Sequence, residues 1–115
     1  MSTPDAAPLR IATADGIAGT RIARTLGVAV GIAIRSRGVG GNIMAGLDAL
    51  GCDGALSEYR DDLTAIRREA LARMAGDAVG LEANAVIGVH FDTAAVGCEM
   101  VEVVAYGTAV VIEDA

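Results

Sequence analysis

Between Arg21 and Arg35 large and small residues alternate. Ile22, Arg24, Leu26, Val28, Val30, Ile32 and Ile34 take the even positions, and Ala23, Thr25, Gly27, Ala29, Gly31 and Ala33 the odd ones. A period of two belongs to a β-strand, whose successive side chains leave opposite faces. One face is therefore bulky and the other nearly bare. The bare face carries no charge, which predicts close approach by another backbone or helix rather than by water. At about 3.3 Å per residue the segment spans on the order of 50 Å, against a diameter of roughly 35 Å for a compact chain of this size. The strand must bend or bulge at Gly27 or Gly31, or its end must leave the subunit and pair with a neighbour. Gly27, Ala29, Gly31 and Ala33 are accordingly the expected contact between copies of the chain.

Further along, Arg35 to Asn42 reads as a glycine loop, Ile43 to Leu50 as a short helix ended by Gly51, and Ser57 as the N-cap of a long helix reaching about Leu81. Tyr59, Leu63, Ile66, Ala70, Met74, Ala78 and Leu81 recur at intervals of three and four, one apolar stripe. Glu58, Asp61 and Asp62 precede Arg67, Arg68 and Arg73, which suits the helix dipole, and Glu69 with Arg73 makes a favourable i,i+4 pair. Two more strands follow. In the first, Ala85, Ile87, Val89 and Phe91 share one face and Val86, Gly88, His90 and Asp92 the other. Ala94 to Cys98 reads as a hairpin turn into a strand from Glu99 to Ile112. One helix covers one sheet face, so Val86, Val104, Val110 and Ile112 are expected on a second, uncovered face that self-association would bury.

The expected architecture is α+β: a small antiparallel or mixed sheet of about three main strands, with one long and one short helix on one face, assembled as a homo-oligomeric ring. Residues 1–10 read as a flexible lead-in and 11–115 as a single domain.

Composition narrows the chemistry. Of 115 residues 53% are hydrophobic but only 3% aromatic (Tyr59, Phe91 and Tyr106), so the core is built from Ala, Val, Ile and Leu. The net charge is −6, and all nine basic residues are Arg. Phosphate neutralisation on nucleic acid is not expected of such a chain, and the missing Lys removes P-loop, Schiff-base and lysine general-base chemistry. Met1 to Ala12 has no basic, apolar leader, and no apolar run approaches the ~20 residues of a membrane helix, so the expected location is the cytoplasm and no membrane span is expected. Cys52 and Cys98 have no CxxC spacing and read as reduced thiols. Cys52, in a glycine turn, has no neighbouring base in sequence to favour a thiolate.

Three patterns carry candidate chemistry. Gly38-Val39-Gly40-Gly41-Asn42 lies between a strand and a helix, the context of a phosphate loop, but a GxGxxG match would need Gly where Ile43 stands. Arg35 and Arg37 flank it and, with Gly40 and Gly41, would hold an anion as a bidentate fork; the other reading is a tight turn with solvated charges. His90 and Asp92, two apart on a strand, share a face. If the hairpin pairs Asp92 with Met100, His90 faces Glu102, and with Cys98 close by the donors suit zinc or a similar divalent ion; the other reading is a hydrogen-bonded structural pair. No GxSxG, HExxH or spaced acid pair is present, and His90 is the single His, so no catalytic constellation is supported.

The segments GVAVGIAIRSRGVGGNIMAGLDAL, GCDGALSEYRDDLTAIRREALARM, GLEANAVIGVHFDTAAVG and VEVVAYGTAVV together resemble the YbjQ-like family of uncharacterised bacterial proteins, labelled a putative heavy-metal-binding domain. The helix entry matches at Gly54, Tyr59, Leu63, Arg67 or Arg68, Glu69 and Ala70, and the later motif at Gly80, Ala83, Ala85, Val86, Ile87, Gly88 and Val89. The resemblance covers roughly Ala12 to Val111. It implies a small α+β subunit in a ring-like homopentamer with no established enzymatic activity. The expected function is a non-enzymatic, homo-oligomeric binding or scaffold module. The alternative is a metal-sequestering or metal-sensing protein using His90, Asp92, Glu102 and Cys98 with a divalent ion as cofactor. An enzyme acting on a small anion at the Gly38–Asn42 loop is a third.

Overall fold

The bare face of the long strand is where the core begins. The computed structural model describes residues 8–36, 60–96 and 100–115. Its elements are β1 (Arg10–Ile11), β2 (Thr20–Ser36), α1 (Arg60–Gly80), β3 (Ala85–Val96) and β4 (Met100–Asp114). The strands form one mixed sheet in the order β1-β3-β4-β2. β4 runs antiparallel to both neighbours, and β1 parallel to β3. The α+β class holds. The short helix at Ile43 to Leu50, the Ser57 cap, Tyr59, the Gly38–Asn42 loop, Cys52 and Cys98 lie outside the described residues.

Helix α1 lays its stripe on the bare face of β2. Ile66, Ala70, Met74 and Ala78 are buried and share one cluster with Ala29 and Ala33 of β2, and with Val101, Val103, Ala105 and Ala109 of β4. Gly31 sits at the closest approach. A methyl group there would overlap the carbonyl oxygen of Ala70 and the amide nitrogen of Met74, both backbone atoms that cannot rotate away. The small residues thus let a helix backbone rest directly on a strand. This corrects the expectation for Ala29, Gly31 and Ala33: the face they form is covered by the chain's own helix, so they are not a contact between copies. Gly27, the fourth member of that set, lies at a bulge.

The length problem is met by an elongated molecule rather than by a sharp bend of the strand. Pairing between β2 and β4 slips between Ile22 and Arg24 and again between Thr25 and Gly27, and each slip bends and twists the strand locally. The strand nevertheless stays long: the molecule measures 55 Å along its longest axis against 20 Å along its shortest.

Other boundaries differ from expectation for local reasons. Arg10, expected in the flexible lead-in, pairs with Ala85, and the following segment continues the contact as Val89 N–H donates to Ala12 O at 3.2 Å. Leu81 is 38% exposed and lies beyond α1, at the far end of the predicted stripe. The helix stops because Glu82 takes a left-handed φ of 67°. Ala83 N–H then donates to Ala78 O at 3.0 Å and Glu82 N–H to Val79 O at 2.9 Å, the Schellman pattern of helix termination.

Candidate functional site

Because α1 covers Ala29, Gly31 and Ala33, the even residues from Val28 to Ile34 must face the other way; before the bulge at Gly27 the phase differs, and Leu26 packs on the helix side. Over Val28 to Ile34 the face away from the helix has no covering layer among the described residues. Val28 is 64% exposed, Ile34 53%, Ile32 42% and Val30 38%. These are the bulky positions of the sequence pattern, turned to solvent while the bare ones are buried. Opposite them on β4 stand Thr108, Tyr106, Val104 and Glu102, and beyond these, on β3, His90 faces Tyr106, Asp92 faces Val104 and Ala94 faces Glu102. The face is therefore graded, aliphatic along β2 and polar along β3.

The expected composition of the uncovered face needs correction at three of four positions. Val104 belongs to it, half-buried in the central strand. Val86 instead lies in the core beneath α1. Val110 and Ile112 are buried in a second cluster with Ala85, Ile87 and Ile17. Val110 and Ile112 stay on the face of Val104, because β4 alternates without a slip, and are covered there by Ile17; Val86 changes face through a bulge in β3, whose pairing with β4 slips between Ile87 and His90, with Gly88 at a φ of 61°. A side chain rarely adopts that conformation, which a glycine takes at no steric cost. After the slip Val89 points to the helix side, and His90 to the open face.

His90 is held at that position by two contacts. Its ring stacks on Tyr106 with centroids 5.8 Å apart and planes 20° from parallel. Its Nδ1 lies 2.8 Å from the carbonyl oxygen of Gly88. A carbonyl only accepts, so Nδ1 carries the proton in this contact, and in the neutral ring Nε2 keeps its lone pair. That is the tautomer of a metal-ligating imidazole. The remaining donors do not gather around it. Glu102 sits opposite Ala94, four residues along the ladder from the His90 pair, on the order of 13 Å at strand spacing. Among the described residues there is no group of three His, Cys, Asp or Glu able to hold a metal ion. The expected register, Asp92 with Met100, is replaced by Asp92 with Val104. The segment Ala94 to Val96, read as turn, is strand, so the hairpin is longer and Tyr106, not Glu102, faces His90. Cys98 lies outside the described residues.

The anion-binding expectation fares similarly. Arg37, Gly40 and Gly41 lie outside the described residues. Arg35 lies in β2 rather than in a loop, and its Nη2 is 3.0 Å from Glu69 Oε1, so this guanidinium is already paired with a carboxylate. A shallow cleft at the other end of the sheet is lined by Arg10, Thr20, Asn84 and Glu113. Its central amide is spent on the backbone: Asn84 Oδ1 accepts from Ile112 N–H at 2.7 Å, and Nδ2 donates to Ile112 O at 2.9 Å. No described helix is long and apolar enough to cross a membrane.

Comparison with known proteins places these features in a group. A family model described as "Putative heavy-metal-binding" matches residues 9–113. A UPF0145 protein of Bradyrhizobium sp. is 43% identical over 105 residues, covering 91% of this chain and 94% of its own. One from Thermoplasma volcanium is 47% identical over 102 residues (89% and 83%), and one from Methanoregula boonei 50% over 95 residues (83% and 78%). Relatives therefore occur in archaea, beyond the bacterial range implied by the resemblance. A crystal structure of a protein of unknown function from Pediococcus pentosaceus, described as a DUF74 family member, superposes with a TM-score of 0.63 at 18% identity, covering 91% of this chain and 98% of that one. That likeness supports the fold.

Proposed function

The chain belongs to the YbjQ-like, UPF0145 family described as "Putative heavy-metal-binding", and from that premise we propose that it acts as a non-enzymatic, homo-oligomeric binding or scaffold subunit. One observation carries the reading: the row Val28, Val30, Ile32 and Ile34 stands 38–64% exposed on a sheet face with no layer over it among the described residues. Isolated exposed aliphatics are ordinary, but a contiguous row of β-branched residues on one sheet face marks an interaction surface. The graded polarity beside it, with His90 and Asp92 on β3, supplies a polar rim to an apolar centre, the usual anatomy of an interface. A second copy is the economical cover, and the family resemblance favours a closed ring of five. A net charge of −6 speaks against nucleic acid as the partner.

The test is the mass in solution. Light scattering at micromolar concentration is expected to give a multiple of 11.6 kDa, five-fold for the ring. A species of 11.6 kDa alone contradicts the reading.

The family description and the open Nε2 of His90 favour a second reading, metal binding at this face. Native mass spectrometry after incubation with zinc, copper or nickel decides it. Loss of bound metal in His90→Ala supports the site, and unchanged stoichiometry removes His90 from it.

A further inference from the structure

Strand β2 ends the sheet, so one side of it presents backbone donors and acceptors with no strand to meet them among the described residues. A long aliphatic edge of this kind is a template for any other extended chain, and the stretch Val28 to Ile34 pairs with β4 without a slip. Two side chains of α1 close it at its centre. Asp77 Oδ2 accepts the Val30 N–H at 2.9 Å, and Arg73 Nη1 donates to the Ile32 carbonyl at 2.9 Å. The match follows from geometry. Four residues of helix rise about 6 Å and two residues of strand about 6.6 Å, so positions i and i+4 of α1 stay in step with alternate residues of an antiparallel strand. The bare contact at Gly31 sets the helix backbone on the strand, which brings both side chains within reach of the edge. Glu69, one turn earlier, holds the series together: its Oε2 is 2.9 Å from Arg73, and its Oε1 binds Arg35.

We propose that Arg73 and Asp77 are an edge guard: by occupying the Val30 donor and the Ile32 acceptor, they prevent a second extended chain from adding to the sheet along β2. An incoming strand would need those two groups, and would have to break charge-assisted hydrogen bonds to reach them. The guard leaves the aliphatic face of the same strand open while closing its edge. It stands whether or not that face is the contact between copies.

Two measurements on one variant set test it. In Asp77→Ala the Val30 amide is expected to exchange its hydrogen roughly tenfold faster, the loss of one hydrogen bond to a charged acceptor, while the Val103 and Ala105 amides of β4 keep their protection. Asp77→Asn retains a side-chain oxygen and is expected to restore most of it. The double variant Arg73→Ala/Asp77→Ala is expected to form thioflavin-positive aggregates at concentrations where the parent and Asp77→Asn stay clear. A double variant that keeps its β4 protection and remains free of such aggregates overturns the guard, as does Val30 exchange unchanged in Asp77→Ala. If the double variant loses β4 protection, Asp77→Ala alone decides: aggregation absent from Asp77→Asn supports the guard, and no aggregation overturns it.

Discussion

At Gly31 a single hydrogen atom separates two backbones. A methyl group there meets the carbonyl of Ala70 and the amide of Met74, so even Gly31→Ala forces α1 off the sheet. Overpacking costs about 1–3 kcal/mol, more than the strand propensity gained by leaving glycine, up to roughly 1 kcal/mol. Thermal unfolding is expected to show a lowered melting temperature for Gly31→Ala and a greater loss for Gly31→Val. A raised value for either contradicts the close packing. Glu82 is the opposite case. Its left-handed φ of 67° costs a side chain about 1–2 kcal/mol, offset in part by the ~0.5–1 kcal/mol entropic cost of glycine in a fixed conformation. Glu82→Gly is therefore expected to stabilise the protein by up to about 1 kcal/mol, read as a higher urea midpoint. A lower midpoint counts against this account of the helix end.

At the scale of elements, α1 is held by its buried stripe more than by its ion pairs. Met74 is fully buried between the helix and the sheet, and truncating such a side chain costs about 2–5 kcal/mol. Arg35 pairs with Glu69 at the surface, where pairs are worth about 0–1 kcal/mol. Denaturant unfolding should rank Met74→Ala far below Arg35→Ala, and the reverse order contradicts this assignment of the helix contact. The helix stripe was legible because spacings of three and four survive translation into structure directly. The long strand was legible from its alternation, as was the close approach at its bare face. What covers that face was not, since a glycine row accepts a helix of its own chain and a neighbour's strand equally well. The hairpin register was misread because Ala94 and Ala95 carry no strong preference, and their strand character comes from pairing with Glu102 and Val101 on β4. The bulge at Gly88 turns His90 away from the face of Val86, and a period-two reading carries straight across such a slip. The register alone takes the expected metal cluster apart: His90 and Asp92 still share a face, but Glu102 stands opposite Ala94, four residues along from the His90 pair.

At the scale of the whole molecule, the described residues form one helix and one sheet, two layers where three would close the structure. The larger buried cluster lies on the helix side, and on the opposite face four β-branched side chains of β2 stay exposed among the described residues. The edge of β2 is occupied at Val30 and Ile32, so a partner covering this region meets side chains rather than backbone. Ile32, in the middle of the row and 42% exposed, makes the most direct probe, because a charge there changes the face without touching the core. Sedimentation velocity on the parent and on Ile32→Asp, at matched micromolar concentration, tests the central claim. The account predicts an oligomer for the parent and a folded, smaller species for the variant; a parent that sediments as a monomer, or an Ile32→Asp protein whose assembly is unchanged, contradicts it.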